Sequence, residues 1–381
     1  LDTSFTREGP IRPLAATVDL SRIRGNVRFL KGLTPPDCSF MAVVKANGYG
    51  HGDVQAARAA LDGGADCLGV ALVEEALRLR GAGFDCPIFV LFEPPTRAAN
   101  AVVENHLTCG VYTLQWAQAL SEASRLKSTP ATVHIKVDTG MRRVGVYPEG
   151  VGGFAGAIGQ MPGLDVEGIY THLAMSADPG NPFNERQLGL FEESADVAER
   201  VLGRALLRHA ASSGAIMAIP RSHYDMVRAG IAIYGLHPSD AFADVTRLKP
   251  AMSLTGRISY VKKVTAGDGI SYGLTYAPSR DAYIATLPVG YADGVSRLLT
   301  GRGEVLINGV RRPIVGVVCM DLCMAELGDE PVEGDVPFVV IGAQGSEEIT
   351  ADEVAARLGT INYEVVCMIS SRVPREYIDS D

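Results

Sequence analysis

Apolar residues in this chain alternate between two textures: short unbroken runs, and longer stretches in which they recur every three or four positions. The runs at 40–45, 67–72, 88–92, 108–112, 133–137, 168–173, 207–212 and 226–231 read as buried strands. Helical spacing fills the intervals at 53–61, 74–81, 96–105, 113–126, 149–160 and 184–203, with a short piece at 216–219. An earlier helix at 21–33 places Ile23, Val27, Leu30 and Leu33 on one face, with Ser21 as its cap and Pro35-Pro36 as its stop. Before it lie a polar arm at 1–13 and a strand-like segment at 15–20. Eight strand-helix alternations predict an α/β fold, a TIM (β/α)8 barrel over 14–240, for which a doubly wound open sheet is the structural alternative.

Near residue 240 the texture changes. Short strands are expected at 254–264, 283–287, 304–307, 314–319 and 336–341, with turns at Gly267-Asp268 and Asn308-Gly309. The barrel is therefore followed by a mostly β C-terminal domain over 241–381, with the arm at 1–13 expected to pack against it.

Composition narrows the function classes. A net charge of −9 without a basic stripe argues against nucleic acid as a partner, and no apolar run reaches the length of a bilayer span. Seven scattered cysteines without paired metal spacing fit reduced thiols in a cytoplasmic protein that holds no metal.

Candidate chemistry gathers at the ends of the proposed barrel strands: Lys45, Lys136 with Asp138, His172, Ser212-Ser213 and Arg228. Function in such barrels sits where strands end and loops begin. Lys45 follows a buried run and precedes Ala-Asn-Gly-Tyr-Gly-His-Gly, whose glycines allow a tight turn. A desolvated lysine at that place can serve as a nucleophile or base. On residue type alone, a lysine laying its stem along apolar surface is the alternative.

The string Ala-Val-Val-Lys-Ala-Asn-Gly-Tyr-Gly-His-Gly closely resembles the pyridoxal 5'-phosphate (PLP) lysine motif of the alanine racemase family. Further segments extend the resemblance over almost the whole chain. The stretch 134–146 is similar to the family's KxDTGMxRxG, and 226–235 to VRPGIxxYG with alanine where proline is usual. The stretches 270–276, 287–294 and 319–321 match others in the second domain.

The resemblance implies that Lys45 carries PLP and that Tyr272 is a second base on the opposite face. It places Tyr49, Ser213, Gly230 and Ile231 on the phosphate, Arg228 on the pyridine nitrogen, and His172 beside Arg228. Arg143 falls on the position that binds the substrate carboxylate, and Tyr291, Met320 and Asp321 on the substrate pocket and its entrance. Lys136 lands where many members carry a carbamylated lysine (N6-carboxylysine). Ser212 replaces a usual asparagine, Val317 a usual arginine and Ser371 a usual aromatic.

The implied activity is that of an isomerase interconverting L- and D-alanine by a two-base mechanism and supplying D-alanine for peptidoglycan. The implied assembly is a homodimer whose subunits share their active sites. A broad alanine/serine racemase, a decarboxylase of the same plan and a non-catalytic PLP-binding protein are the rivals.

Overall fold

In the computed structural model, which describes residues 11–245 and 247–380, β1 (Leu14–Asp19) precedes eight parallel strands. These are β2 (Ser39–Val43), β3 (Cys67–Val70), β4 (Ile88–Val90), β5 (Thr108–Val111), β6 (Ala131–Lys136), β7 (Leu164–Tyr170), β8 (Leu207–His209) and β9 (Met226–Ala229). Each pairs with the next and β9 returns to β2, so the barrel closes and the open-sheet alternative is excluded.

All eight predicted runs are present, but several strands stop short of the apolar run that announced them. The reason is visible after β3. Ala71 and Leu72 leave the sheet to enter the helix Val73–Gly81, and both their N–H groups donate to the Glu75 carboxylate. Inward-facing Met41, Cys67, Phe89, Tyr170 and Met226 pack together inside the barrel, and burial of such side chains is worth about 1.5–3 kcal/mol each. Outside, Thr113 caps the helix Leu114–Lys127 and Asn181 caps Pro182–Leu202, each accepting from a backbone N–H of the first turn. The first helix spans Leu20–Lys31, so Ser21 lies inside it and Leu33 beyond it.

Ser21–Lys249 makes up the barrel unit, and the described residues on either side of it make up the other. The segment 14–20, expected to open the barrel domain, thus contributes β1 to the second unit's sheet. Its further strands are β10 (Met252–Arg257), β11 (Tyr260–Val264), β12 (Ala282–Leu287), β13 (Glu304–Ile307), β14 (Val310–Val315), β15 (Cys323–Gly328), β16 (Pro337–Gln344), β17 (Glu347–Ile349) and β18 (Arg375–Ile378). They run in the order β11-β12-β15-β14-β13-β16-β10-β1-β18, with β17 on β16. Most of the predicted arm, residues 1–10, lies outside the described residues.

Two expectations need correction here. The run at 254–264 breaks into β10 and β11, each with its own partner. The run at 314–319 ends as a strand at Val315, because Gly316 turns to a φ of 64°. Two helices for which no helical spacing had been named, Ala351–Leu358 and Asn362–Met368, also lie in this mostly β domain. No helix among the described residues is long and apolar enough to cross a membrane.

One close approach shapes this unit's loops. Tyr291 and Ala292 donate backbone hydrogen bonds to Cys319 and Met320, and a Cβ on Gly290 would lie 2.4 Å from both of those carbonyl oxygens. Gly290→Ala should therefore destabilise the protein by about 1–3 kcal/mol, read from urea unfolding. An unchanged midpoint would show that the two loops are free to separate.

Candidate active site

At the end of β2 the chain makes a left-handed turn. Ala46, Asn47, Gly48 and Tyr49 have φ values of 53°, 54°, 60° and 50°, a region that costs a non-glycine residue about 1–2 kcal/mol. The turn is held by contacts that over-determine it. Ala46 N–H donates to Glu75 at 2.6 Å, Asp53 N–H to the Asn47 side chain at 3.2 Å, and Gly48 N–H to Val44 O at 2.9 Å. His51 stacks on Tyr234, whose hydroxyl donates to Val43 O. The consequence is a fixed, partly exposed Lys45 with its Nζ 5.9 Å from the Tyr49 ring centroid.

Arg228, on β9, lies buried in the barrel. Its Nη2 donates to Thr171 O at 2.7 Å, Ala210 O at 2.9 Å and His172 Nδ1 at 3.3 Å; its Nη1 donates to His209 Nδ1 at 2.9 Å. Its Nε–H has no partner among the described residues. Burial pulls this arginine down to about 10, which leaves it charged at neutral pH.

The charge acts on its neighbours. His172 is held well below its ordinary value by burial and then by Arg228, Lys136, Arg143 and Lys45. Lys136 is lowered well below the usual lysine range by burial, Arg228 and Arg143, with Asp138 opposing. Its Nζ sits 4.6 Å from the Tyr170 ring centroid. Arg143 is exposed and lies over Phe92, 5.3 Å from the ring centroid.

Beyond β8, buried Ser213 accepts from Gly230 N–H at 2.9 Å and Ala232 N–H at 3.3 Å. Gly230 is small for a reason: a Cβ there would stand 2.7 Å from the Tyr49 hydroxyl and 4.0 Å from Ser213 Oγ. Ile231, next in the chain, is buried at the start of a short 3-10 helix. Ser212 is engaged elsewhere, its hydroxyl 2.9 Å from that of Ser176.

The second unit gathers its own predicted residues. Tyr272, Tyr291, Val317, Met320 and Asp321 line one open hollow of about 470 Å³. Tyr272 is 74% exposed, on a turn where Ser271 and Gly273 have φ values of 66° and 73°. The Ser271 hydroxyl fixes that turn by donating to Val317 O at 2.9 Å. Asp321 is paired with Arg372 at 2.6 Å, and Ser371 beside it is exposed.

Family models match the two units in turn: alanine racemase, N-terminal domain, over residues 18–238, and alanine racemase, C-terminal domain, over 251–377. The chain belongs to the alanine racemase family. The alanine racemase of Desulfovibrio desulfuricans is 42% identical over 97% of this chain and 99% of its own length. That of Symbiobacterium thermophilum is 46% identical over 96% and 97%. Alanine racemase from D-cycloserine producing Streptomyces lavendulae has a TM-score of 0.93 at 36% identity, covering 98% of each chain. The Bacillus anthracis enzyme, solved with bound L-Ala-P, has a TM-score of 0.92 at 39% identity over 97% of this chain and 96% of that one. As a member of the alanine racemase family, the chain is an isomerase acting on a small-molecule substrate.

Sequence reading of this racemase missed His209, His134, Thr171 and Arg372, which position the residues it found. One signal was present: His134 stands two residues before Lys136 on one strand, so both face inward.

Burial holds His134, His172, His209 and His223 below the ordinary value of 6.5. Each stays neutral in the fold at a pH where the unfolded chain binds a proton. Stability present above pH 6.5 is therefore lost as pH falls below it, with up to one proton taken up per histidine on unfolding. Urea midpoints that stay level across that range would contradict the assignment of neutral histidines.

Proposed function

We propose that this isomerase interconverts L- and D-alanine with pyridoxal 5'-phosphate as its cofactor, Lys45 and Tyr272 acting as bases, and that it supplies D-alanine for peptidoglycan. The observation that carries the reading is the gathering of the guanidinium groups of Arg228 and Arg143 with the amines of Lys45 and Lys136 around His172. Such a cluster suits an anionic cofactor together with a substrate carboxylate.

The residues fit that cofactor. Gly230 keeps the main chain open where the hydroxyls of Tyr49 and Ser213 converge, a cradle that a single methyl would fill. Those hydroxyls, with the N–H groups of Gly230 and Ile231, would hold its phosphate. When bound, PLP supplies an electron sink that makes the substrate's α-proton acidic.

Lys45 would anchor the cofactor and move a proton on one face of the α-carbon. Tyr272 would move the other proton on the opposite face, since inversion requires two groups. Arg228 would offer its Nε–H to the pyridine nitrogen as a donor that keeps its proton. His172 accepts at Nδ1 from Arg228, so its own proton sits on Nε2, where it can donate to a phenolate. Arg143 offers a planar fork to the substrate carboxylate. Tyr291, Met320 and Asp321 border the substrate's way in.

Burial, Arg228 and Arg143 all favour the uncharged form of the Lys136 amine, the form that carbamylation requires, and its carbamate would be an anion able to hold Arg143. Carbon-13 bicarbonate should give a carbamate resonance that Lys136→Ala abolishes. A spectrum without that resonance would remove the modification from the account.

A homodimer completes the proposal, with the partner subunit's Tyr272, Met320 and Asp321 joining the barrel site of each chain. Lys45→Ala and Tyr272→Ala should each lower D-alanine formation from L-alanine by about a hundredfold or more, read by chiral chromatography. Purified mixed dimers of the two variants contain one site with both lesions and one with neither. They should regain about half the wild-type activity. Mixed dimers no more active than their parents would refute the shared site, and wild-type enzyme that makes no D-alanine would refute the reaction.

A further inference from the structure

A line of polar contacts leaves Arg228 from the terminal nitrogen that does not meet His172 and crosses the barrel interior. Arg228 Nη1 meets His209 Nδ1 at 2.9 Å, His209 Nε2 meets His134 Nδ1 at 2.8 Å, and His134 Nε2 meets Glu167 Oε2 at 2.8 Å. Both imidazoles are buried, whereas the Glu167 side chain is 47% exposed. Beside Glu167 and His134 opens a cavity of about 200 Å³, bordered by Ser39 and Thr108 near the N-terminal ends of β2 and β5. The line therefore runs from the functional end of the barrel to its opposite mouth.

Its hydrogens have one consistent arrangement. A guanidinium only donates, so the His209 nitrogen facing it must be the acceptor. A neutral His209 then carries its proton on Nε2 and donates to His134 Nδ1. His134 in turn carries its proton on Nε2 and donates to the Glu167 carboxylate. Neutrality agrees with the burial of both rings, which lowers His209 well below its ordinary value and lowers His134 despite Glu167. The hydrogen bond from His134 lowers Glu167, so the far end is an anion.

The surroundings admit little else. Tyr170 stacks on His209 at 4.8 Å and 13°, and Phe89 meets both imidazoles edge-on, at 4.9 Å and 5.7 Å. Gly168, directly after Glu167, has no room for a side chain: a Cβ there would stand 2.6 Å from His134 Nδ1 and 2.6 Å from Leu207 O. Within this sleeve a reversed tautomer of His209 would set donor against donor at Arg228, and a buried conflict of that kind costs about 1–3 kcal/mol.

We infer that Glu167 and His134 are positioning residues for racemisation, acting from the far mouth of the barrel by fixing the tautomer of His209 and so the aim of Arg228. The inference rests on the role proposed above for Arg228, while the tautomers follow from the geometry alone. Glu167 supplies the anionic terminus, and the two histidines pass its direction inward without moving charge.

Neutron diffraction from crystals of the holoenzyme should place hydrogens on Nε2, and none on Nδ1, of both His134 and His209. A hydrogen on His209 Nδ1 overturns the inference whether or not the enzyme racemises alanine, and so separates it from the functional reading. Glu167→Ala should lower kcat by about three- to tenfold with KM nearly unchanged, and should shift the visible absorption of the bound cofactor. Glu167→Gln keeps an acceptor at the end of the line and should stay within about twofold of wild type in kcat. Wild-type kcat and spectrum in Glu167→Ala, or equal losses in both variants, also overturn it.

Discussion

A buried cation that can only donate hydrogen bonds imposes terms on everything around it, and Arg228 holds that position in the barrel. Each group its terminal nitrogens reach is an acceptor: two main-chain carbonyls and two imidazole nitrogens. The same charge heads the electrostatic causes that lower His172, His209 and Lys136, after burial itself. One residue thus sets both the hydrogen-bond polarity and the protonation states of its neighbours. Burying an arginine unpaired would cost far more than the fold could sustain, so the acceptors are a condition of its being there.

The remaining parts supply rigidity at a few points and leave the rest to loops. The left-handed turn after β2 places Lys45 only because Glu75, Asn47 and Tyr234 restrain its surroundings. In the second unit, Ser271 performs a comparable service for Tyr272 by tying its turn to Val317. Both elements hold backbone in sparsely populated conformations, the usual mark of a place where geometry matters more than ease of folding.

The barrel was legible in the sequence because eight apolar runs alternated with helical spacing, and Lys45, Lys136, His172, Ser213 and Arg228 because they fell at the ends of those runs, whereas Tyr49, Arg143, Tyr272, Tyr291, Met320 and Asp321 were reached through the family resemblance alone. The run ends were less legible, since Ala71 and Leu72 are as apolar as the strand they follow although a carboxylate claims their N–H groups. The β-rich unit was read less completely. β15 alternates small with mixed residues, Cys-Met-Ala-Glu-Leu-Gly, which weakens its pattern. The helix Ala351–Leu358 is short, and its start rests on Thr350, whose capping is a matter of local geometry. The line from Arg228 to Glu167 was invisible for a different reason: its members come from four strands, and only closure of the barrel brings them together.

The placement of β1 has a consequence for how the chain is made. This strand hydrogen-bonds antiparallel to β10 and parallel to β18, partners encoded more than two hundred residues later. As the polypeptide emerges from the ribosome, β1 must wait while the entire barrel sequence is synthesised, whereas each barrel strand meets the next as soon as that one appears and only the closure of β2 on β9 comes late. The sheet of the unit that carries Tyr272 is completed by strands encoded after the barrel, so long-range pairing in biogenesis falls on the unit that holds the second proposed base.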